Sequence, residues 1–206
     1  MLLEGEVDKL KHFLAKNPKL MSALVIAPHL KMKNWYLGAG CVAQTVWNIL
    51  HGFSPESNIK DYDLVYFDDS DLSYEAENMF IEQGASLFKG LNVKVEIRNE
   101  ARVHLWYKDR FGKPLSFLDS SGNVSGTYKS VEDAISTWPT TATSIGVRLG
   151  AYGKFEVYAP FGLNDLLGMI VRPNKRGVPR EVYIEKVQSW TKHWPNLRVV
   201  PWEENG

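Results

Sequence analysis

The chain has 206 residues, enough for one domain with a substantial core, and its 44% hydrophobic and 12% aromatic content excludes a disordered chain. Lys plus Arg and Asp plus Glu number 24 each, so no global positive field recommends long nucleic acid as the main partner. Cys41 is the only cysteine, which excludes an intrachain disulfide; with acids where a signal peptide would be basic and apolar, and no apolar run near ~20 residues, the expectation is a cytoplasmic protein that does not enter the membrane.

From Glu4 to Lys16 apolar residues recur at helical spacing (Val7, Leu10, Phe13, Leu14) until Asn17-Pro18 stops them. Pro18 suits the first turn of a second helix, with Leu20, Met21, Leu24 and Val25 as its buried face. This pair reads as a helical extension over 1–34, with His12 and His29 as surface or packing residues. Trp35-Tyr36-Leu37 then forms a short strand, Gly38-Ala39-Gly40 a turn, and Cys41 to Leu50 a helix. Glycines at such a turn let a ligand approach the backbone, and the free amides of the next helix can hold a phosphate; an ordinary tight turn needs the same residues.

Lys60 to Phe67 is an apolar strand headed by Asp61 and Asp63. Residues i and i+2 of a strand share a face, so the two carboxylates project side by side and repel unless a cation sits between them. Mg²⁺, with Mn²⁺ as an alternative, suits such hard oxygen ligands. Asp68 to Asp71 reads as a loop and helix cap, and the helix from Leu72 to Gln83 is expected to bury Ala76, Met79 and Phe80, with Leu87 beyond it. In the alternating strand Asn92 to Asn99, Glu96 shares a face with Lys94 and Arg98. It is either a solvated or Arg98-paired acid or a third carboxylate beside Asp61 and Asp63. Arg102, on a helix from Ala101 to Lys108, is near enough to Arg98 for both to face a triphosphate.

Residues 112–130 read as a long loop, and Ser130 to Asp133 as a capping box opening a helix ended by Pro139. Thr140, Thr141, Thr143 and Ser144 suit turn chemistry, with nucleotide contact as the alternative. Ile145 to Leu149 and Phe155 to Tyr158 predict a hairpin, and Asn164 to Val171 a short helix. Arg172 to Arg180 concentrates four cations in nine positions, as a phosphate-seeking patch or a solvated loop. A helix from Val182 to Lys192 follows, and Trp190, Trp194 and Trp202 pin a wrapped tail.

An apolar strand ending in Gly-x-Gly, a helix, an Asp-x-Asp strand and a later strand with one acid together resemble the polymerase-β-like nucleotidyltransferase superfamily. The resemblance is carried by Gly40-Cys41-Val42-Ala43-Gln44-Thr45-Val46-Trp47-Asn48, Lys60 to Phe67, Val95-Glu96-Ile97-Arg98-Asn99, Ala101 to Tyr107, Thr141-Ala142-Thr143 and Ala159-Pro160-Phe161-Gly162-Leu163. It is similar in particular to the superfamily's branch of uncharacterised nucleotidyltransferase-like proteins. The implied fold is α+β, a small mixed sheet flanked by helices, in one domain over 1–206: the helical extension, a catalytic core over 35–111 and a C-terminal part over 112–206. The implied site has Asp61, Asp63 and Glu96 as catalytic metal ligands and Gly38 and Gly40 at the phosphates, with Gln44, Thr45, Lys60, Arg98 and Arg102 completing the nucleotide set. Cys41 follows Gly40 where the superfamily usually carries serine or glycine, so Thr45 would supply the hydroxyl; twenty residues separate Gly40 from Asp61, a long interval.

The implied reaction moves a nucleoside monophosphate from an NTP, ATP included, to an acceptor hydroxyl with release of pyrophosphate. The acceptor stays open among a small molecule, a tRNA end and a protein hydroxyl. A non-catalytic nucleotide-binding or antitoxin-like partner protein is the alternative, and a metal-dependent glycosyltransferase using the same Asp-x-Asp ranks lower. As a nucleophile, Cys41 lacks a sequence-evident base.

Overall fold

Asn17 fixes how the chain begins. Its side chain caps α2 (Pro18–Ile26) by accepting from the Leu20 amide at 3.0 Å, and its Nδ2 donates to Thr45 Oγ1 at 2.8 Å. A computed structural model describes residues 2–119 and 121–203; Ser120 of the long loop and 204–206 of the tail lie outside the described residues. α1 (Glu4–Leu14) and α2 bury Leu10, Leu14, Leu20 and Leu24 in the same cluster as Val42, Val46 and Trp47 of α3 (Gly40–Leu50), so they share the main core.

In chain order follow β1 (Tyr36–Gly38), α3, β2 (Tyr62–Tyr66), α4 (Tyr74–Leu87), β3 (Val95–Asn99), a 3₁₀ turn over Glu100–Arg102 and α5 (Val103–Phe111). Then come β4 (Phe117–Leu118), β5 (Val124–Ser125), α6 (Val131–Ile135), β6 (Gly146–Leu149), β7 (Phe155–Tyr158), α7 (Asn164–Leu167), β8 (Ile170–Val171), α8 (Arg180–His193) and β9 (Arg198–Val199). The five-stranded sheet runs β3-β2-β1-β6-β7. β2 and β3 pair in parallel, with α4 as the crossover, and the other pairs are antiparallel. The expected α+β mixed sheet is thus the architecture found.

Strand alternation divides the sheet into two faces. Leu37, Tyr62, Leu64, Tyr66, Ile97 and Val147 point into the main core. On the other face Tyr36 and Val65 pack against Val131 and Ile135 of α6 in a smaller cluster.

Several expectations shift. Ser73, not an aspartate, caps α4, accepting from the Ala76 amide at 3.2 Å, while Asp71 braces the Ser73 amide. α4 leaves Met79 50% and Leu87 41% exposed and buries Glu77 and Gly84, because β3 presses so close that a side-chain carbon at Gly84 would collide with Ile97. The loop over 112–130 contains the small β4–β5 pair. Only one turn of the helix expected over Asn164 to Val171 forms; Ile170 and Val171 instead pair with β9. The hairpin and tail are as expected: β6 pairs with β7, Trp190 and Trp194 meet Trp47 edge-on at 5.3 and 5.7 Å, and Trp202 packs on Tyr183 at 5.6 Å. Among the described residues no helix is long and apolar enough to cross a membrane.

Candidate active site

One register row crosses the sheet: Glu96 lies opposite Asp63, Asp63 opposite Gly38, Gly38 opposite Gly146 and Gly146 opposite Tyr158. Its side chains fall on the face away from the main core, beside Asp61, which precedes β2 and shares Asp63's side of the extended chain. Asp61, Asp63 and Glu96 are all half-buried. Burial, then the neighbouring Asp61 and Glu96 charges, push the Asp63 carboxyl up to about 7, while Lys186 and Arg98 pull the other way.

Glu96 is paired with Lys94. Among the described residues no three Asp, Glu, His or Cys side chains close into a metal-ligand set. The donor chemistry nevertheless fits Mg²⁺ or Mn²⁺: two hard carboxylates at Asp61 and Asp63, with the remaining positions left to substrate phosphates and water, as Mg²⁺ prefers.

Beside Asp63, the turn leads into α3. Ala39 takes φ 54°, ψ −126° and its amide donates to Ile145 O at 3.0 Å. The Ala43 amide is the first to bond back along the helix, to Ala39 O at 3.2 Å, so the three amides before it have no intrahelical acceptor and suit an anion. Glycine at 38 serves packing: a side-chain carbon there would collide with Ile145 O and stand 3.0 Å from the Trp138 ring. At Gly40 the same atom would stand 3.2 Å from the half-buried Gln44 amide.

Other members of the expected nucleotide set diverge. Lys60 and Arg98 are exposed, Arg98 on the face of Glu96. Thr45 is fully buried, donates to Cys41 O at 2.7 Å and accepts from Asn17, so its hydroxyl is spent on the fold. Arg102 turns inward, pairing with buried Glu77 and donating through Nε to Leu72 O at 2.9 Å. Glu77 also accepts the Asn99 amide at 2.8 Å, so a buried carboxylate claims the guanidinium expected at the phosphates. Cys41 is buried with its thiol on Gly38 O at 3.2 Å; burial and Asp63 hold its pKa well above the ordinary value, so it stays a packed thiol.

The basic segment is likewise engaged within the chain. Arg172 meets Asp165 at 3.0 Å, Arg176 donates to Leu118 O at 2.8 and 3.1 Å, Arg180 meets Glu203 at 2.6 Å, and Lys175 stands 6.0 Å from the Trp202 ring centre. Among the hydroxyls, Thr140 and Thr143 bond each other at 2.8 Å, Ser144 donates to Thr140 O at 2.9 Å and Thr141 to Asp165 at 2.6 Å. That is the turn chemistry expected.

Sequence reasoning missed Glu100 and Lys186. Glu100 is buried just past β3, and burial followed by Asp63 and Glu77 pushes it up to about 8. Strand alternation ends one residue before it, so no periodicity marks it. Lys186, on α8, acts on Asp63 from far along the chain and carries no local signal.

A family model described as "Nucleotidyltransferase" matches residues 25–199. The chain belongs to this family. A structure determined by NMR and described as revealing "a CCA-adding enzyme head domain" is 27% identical to this nucleotidyltransferase at a TM-score of 0.70, covering 94% of this chain and 95% of that one. A tRNA-processing enzyme in an apo form is 15% identical at a TM-score of 0.46, covering 86% of this chain and 44% of that one. No curated protein matches the nucleotidyltransferase. The family and the head-domain fold bear out the polymerase-β-like resemblance, and nucleotidyl transfer takes the place of the glycosyltransferase reading.

Proposed function

We propose that this nucleotidyltransferase moves a nucleoside monophosphate from an NTP to an acceptor hydroxyl, releasing pyrophosphate, in a divalent-metal-dependent reaction at Asp61, Asp63 and Glu96. The observation that carries the reading is the register row that sets Asp63 between Glu96 and Gly38, beside the first turn of α3. Mg²⁺ or Mn²⁺ held by Asp61 and Asp63 would neutralise charge on the triphosphate and polarise the α-phosphate.

Each residue's task follows from its position. The α3 amides receive phosphate oxygens, and Arg98, Lys60 and Lys186 add positive charge for the leaving pyrophosphate. The acceptor oxygen bonds to the α-phosphorus as the bond to the pyrophosphate oxygen breaks, and Glu96 takes the hydroxyl proton. Acceptors consistent with the neutral chain are a small molecule, a tRNA end or a protein hydroxyl. A cytoplasmic setting, where NTPs are abundant and the lone Cys41 stays reduced, belongs to the same reading.

The test measures pyrophosphate release from each of the four NTPs with Mg²⁺ or Mn²⁺ and a pool of these acceptors, in the wild type and in Asp63→Asn. Metal-dependent release lost in Asp63→Asn supports the reading. No metal-dependent NTP turnover, or equal turnover in the variant, overturns it.

A further inference from the structure

The glycine at position 38 makes room for an aromatic ring at the edge of the candidate site. Gly38 is the register partner of Asp63, and the Trp138 atoms Cζ3 and Cη2 lie 3.0 and 3.1 Å from where a side-chain carbon at Gly38 would stand. The tip of the indole therefore covers the strand position next to the catalytic aspartate, on the same sheet face. Trp138 packs on the Tyr36–Val65–Val131–Ile135 cluster yet stays only half-buried.

Its backbone is held by side chains from two other segments. The Trp138 carbonyl accepts from Asn174 Nδ2 at 2.9 Å and from Ser144 Oγ at 3.3 Å. Asn174 also donates to Ser136 O at 2.8 Å, and its own amide donates to Pro139 O at 3.0 Å, so the chain is clamped on both sides of the ring. Asn174 and Ser144 are 3% and 1% exposed, which places these bonds where they fix geometry. The result is a half-buried ring on a clamped backbone, its edge one strand away from acids suited to a metal–phosphate group.

We propose that Trp138 is the stacking wall for the nucleobase of the bound NTP. The inference rests on the nucleotidyl-transfer reading and adds the contact that separates a nucleotide from a bare polyphosphate. Stacking tolerates every base but grows with ring area, so all four NTPs bind and purines bind tighter.

The experiment titrates each NTP, and separately inorganic tripolyphosphate, with Mg²⁺ into the wild type, Trp138→Phe and Trp138→Leu. The expected result for Trp138→Leu is NTP binding weakened by about 10- to 100-fold with tripolyphosphate binding within about twofold of wild type. Trp138→Phe keeps a smaller ring and is expected to lose about threefold, on purine NTPs alone; this selective loss decides the matter should the Leu variant not fold. Parallel losses for NTP and tripolyphosphate would show a packing role and overturn the inference, as would unchanged NTP affinity. A wild type that binds tripolyphosphate and NTP equally well overturns it while leaving the acids their phosphate role. A wild type that binds neither removes the nucleotidyl-transfer reading itself.

Discussion

Asp63 and Glu100 are carboxyls whose pKa the fold raises, and their environments explain what substitution would do. Asp63 sits between Asp61 and Glu96 and rises to about 7, so a divalent cation held there, as proposed, would compete with its proton. Asp63→Asn is expected to cost about 10³-fold or more in transfer while raising metal-free thermal stability near pH 8, because it removes a charge that the fold holds at a cost. Glu100 rises to about 8 from an ordinary 4.5. A carboxyl whose folded pKa lies above its unfolded one makes the folded state bind more protons across the interval. Its stabilising contribution is therefore complete below about 4.5 and lost as the pH climbs through about 8. Glu100→Gln should flatten that decline, raising the melting temperature at pH 8 and leaving it unchanged at pH 4.5; a variant that keeps the wild-type slope would contradict the assignment.

At the scale of elements, the junction of β3 with the 3₁₀ turn separates the two arginines: Arg98 stays exposed and Arg102 turns inward to Glu77. Strand alternation made Glu96 and Arg98 legible as one face, and the structure keeps both there. Arg102 departs from the linear pattern because the helical spacing that would aim it at Arg98 breaks at Glu100–Arg102, and because the demand for its charge comes from Glu77, on a helix of no obvious kinship. Buried partnerships of this kind depend on which elements meet, and a linear pattern does not encode that. Gly38 shows the same limit: the need for glycine was legible, but its causes, the Ile145 carbonyl first and the Trp138 ring beside it, lie about a hundred residues on. The two arginines should therefore separate in experiment. Arg102→Met leaves Glu77 buried without its ion-pair partner and is expected to lose about 3–5 kcal/mol in urea unfolding, with NTP affinity of the folded protein intact. Arg98→Ala, exposed beside Glu96, should weaken NTP binding with stability unchanged. Reversal of that pattern would return Arg102 to the phosphates.

Across the whole molecule, α8 packs against the core, and the proposed mechanism gives it a second duty at the site. Trp190 and Trp194 close on Trp47, and Trp194 Nε1 donates to Asn48 Oδ1 at 2.8 Å, so the C-terminal helix completes the packing around α3, whose first turn faces the acids. The sequence foretold these tryptophan anchors, since large rings in a tail have few other uses, yet gave no sign that the same helix carries Lys186 toward Asp63. Trp194→Ala opens a cavity against Trp47 and leaves Asn48 Oδ1 without this donor. The expected loss is about 3–5 kcal/mol, read as a lower urea midpoint, and transfer per folded molecule should hold. Lys186 is exposed, 5.7 Å from the Trp190 ring centre, so Lys186→Gln should leave the urea midpoint within error. Its effect should fall on the triphosphate, with weaker NTP binding and a shallower dependence of that binding on salt, because one of the cations meeting the phosphates is gone. If Lys186→Gln leaves both affinity and salt dependence at wild-type values, α8 serves the core alone and the positive charge opposite Asp61 and Asp63 must come from Arg98 and Lys60.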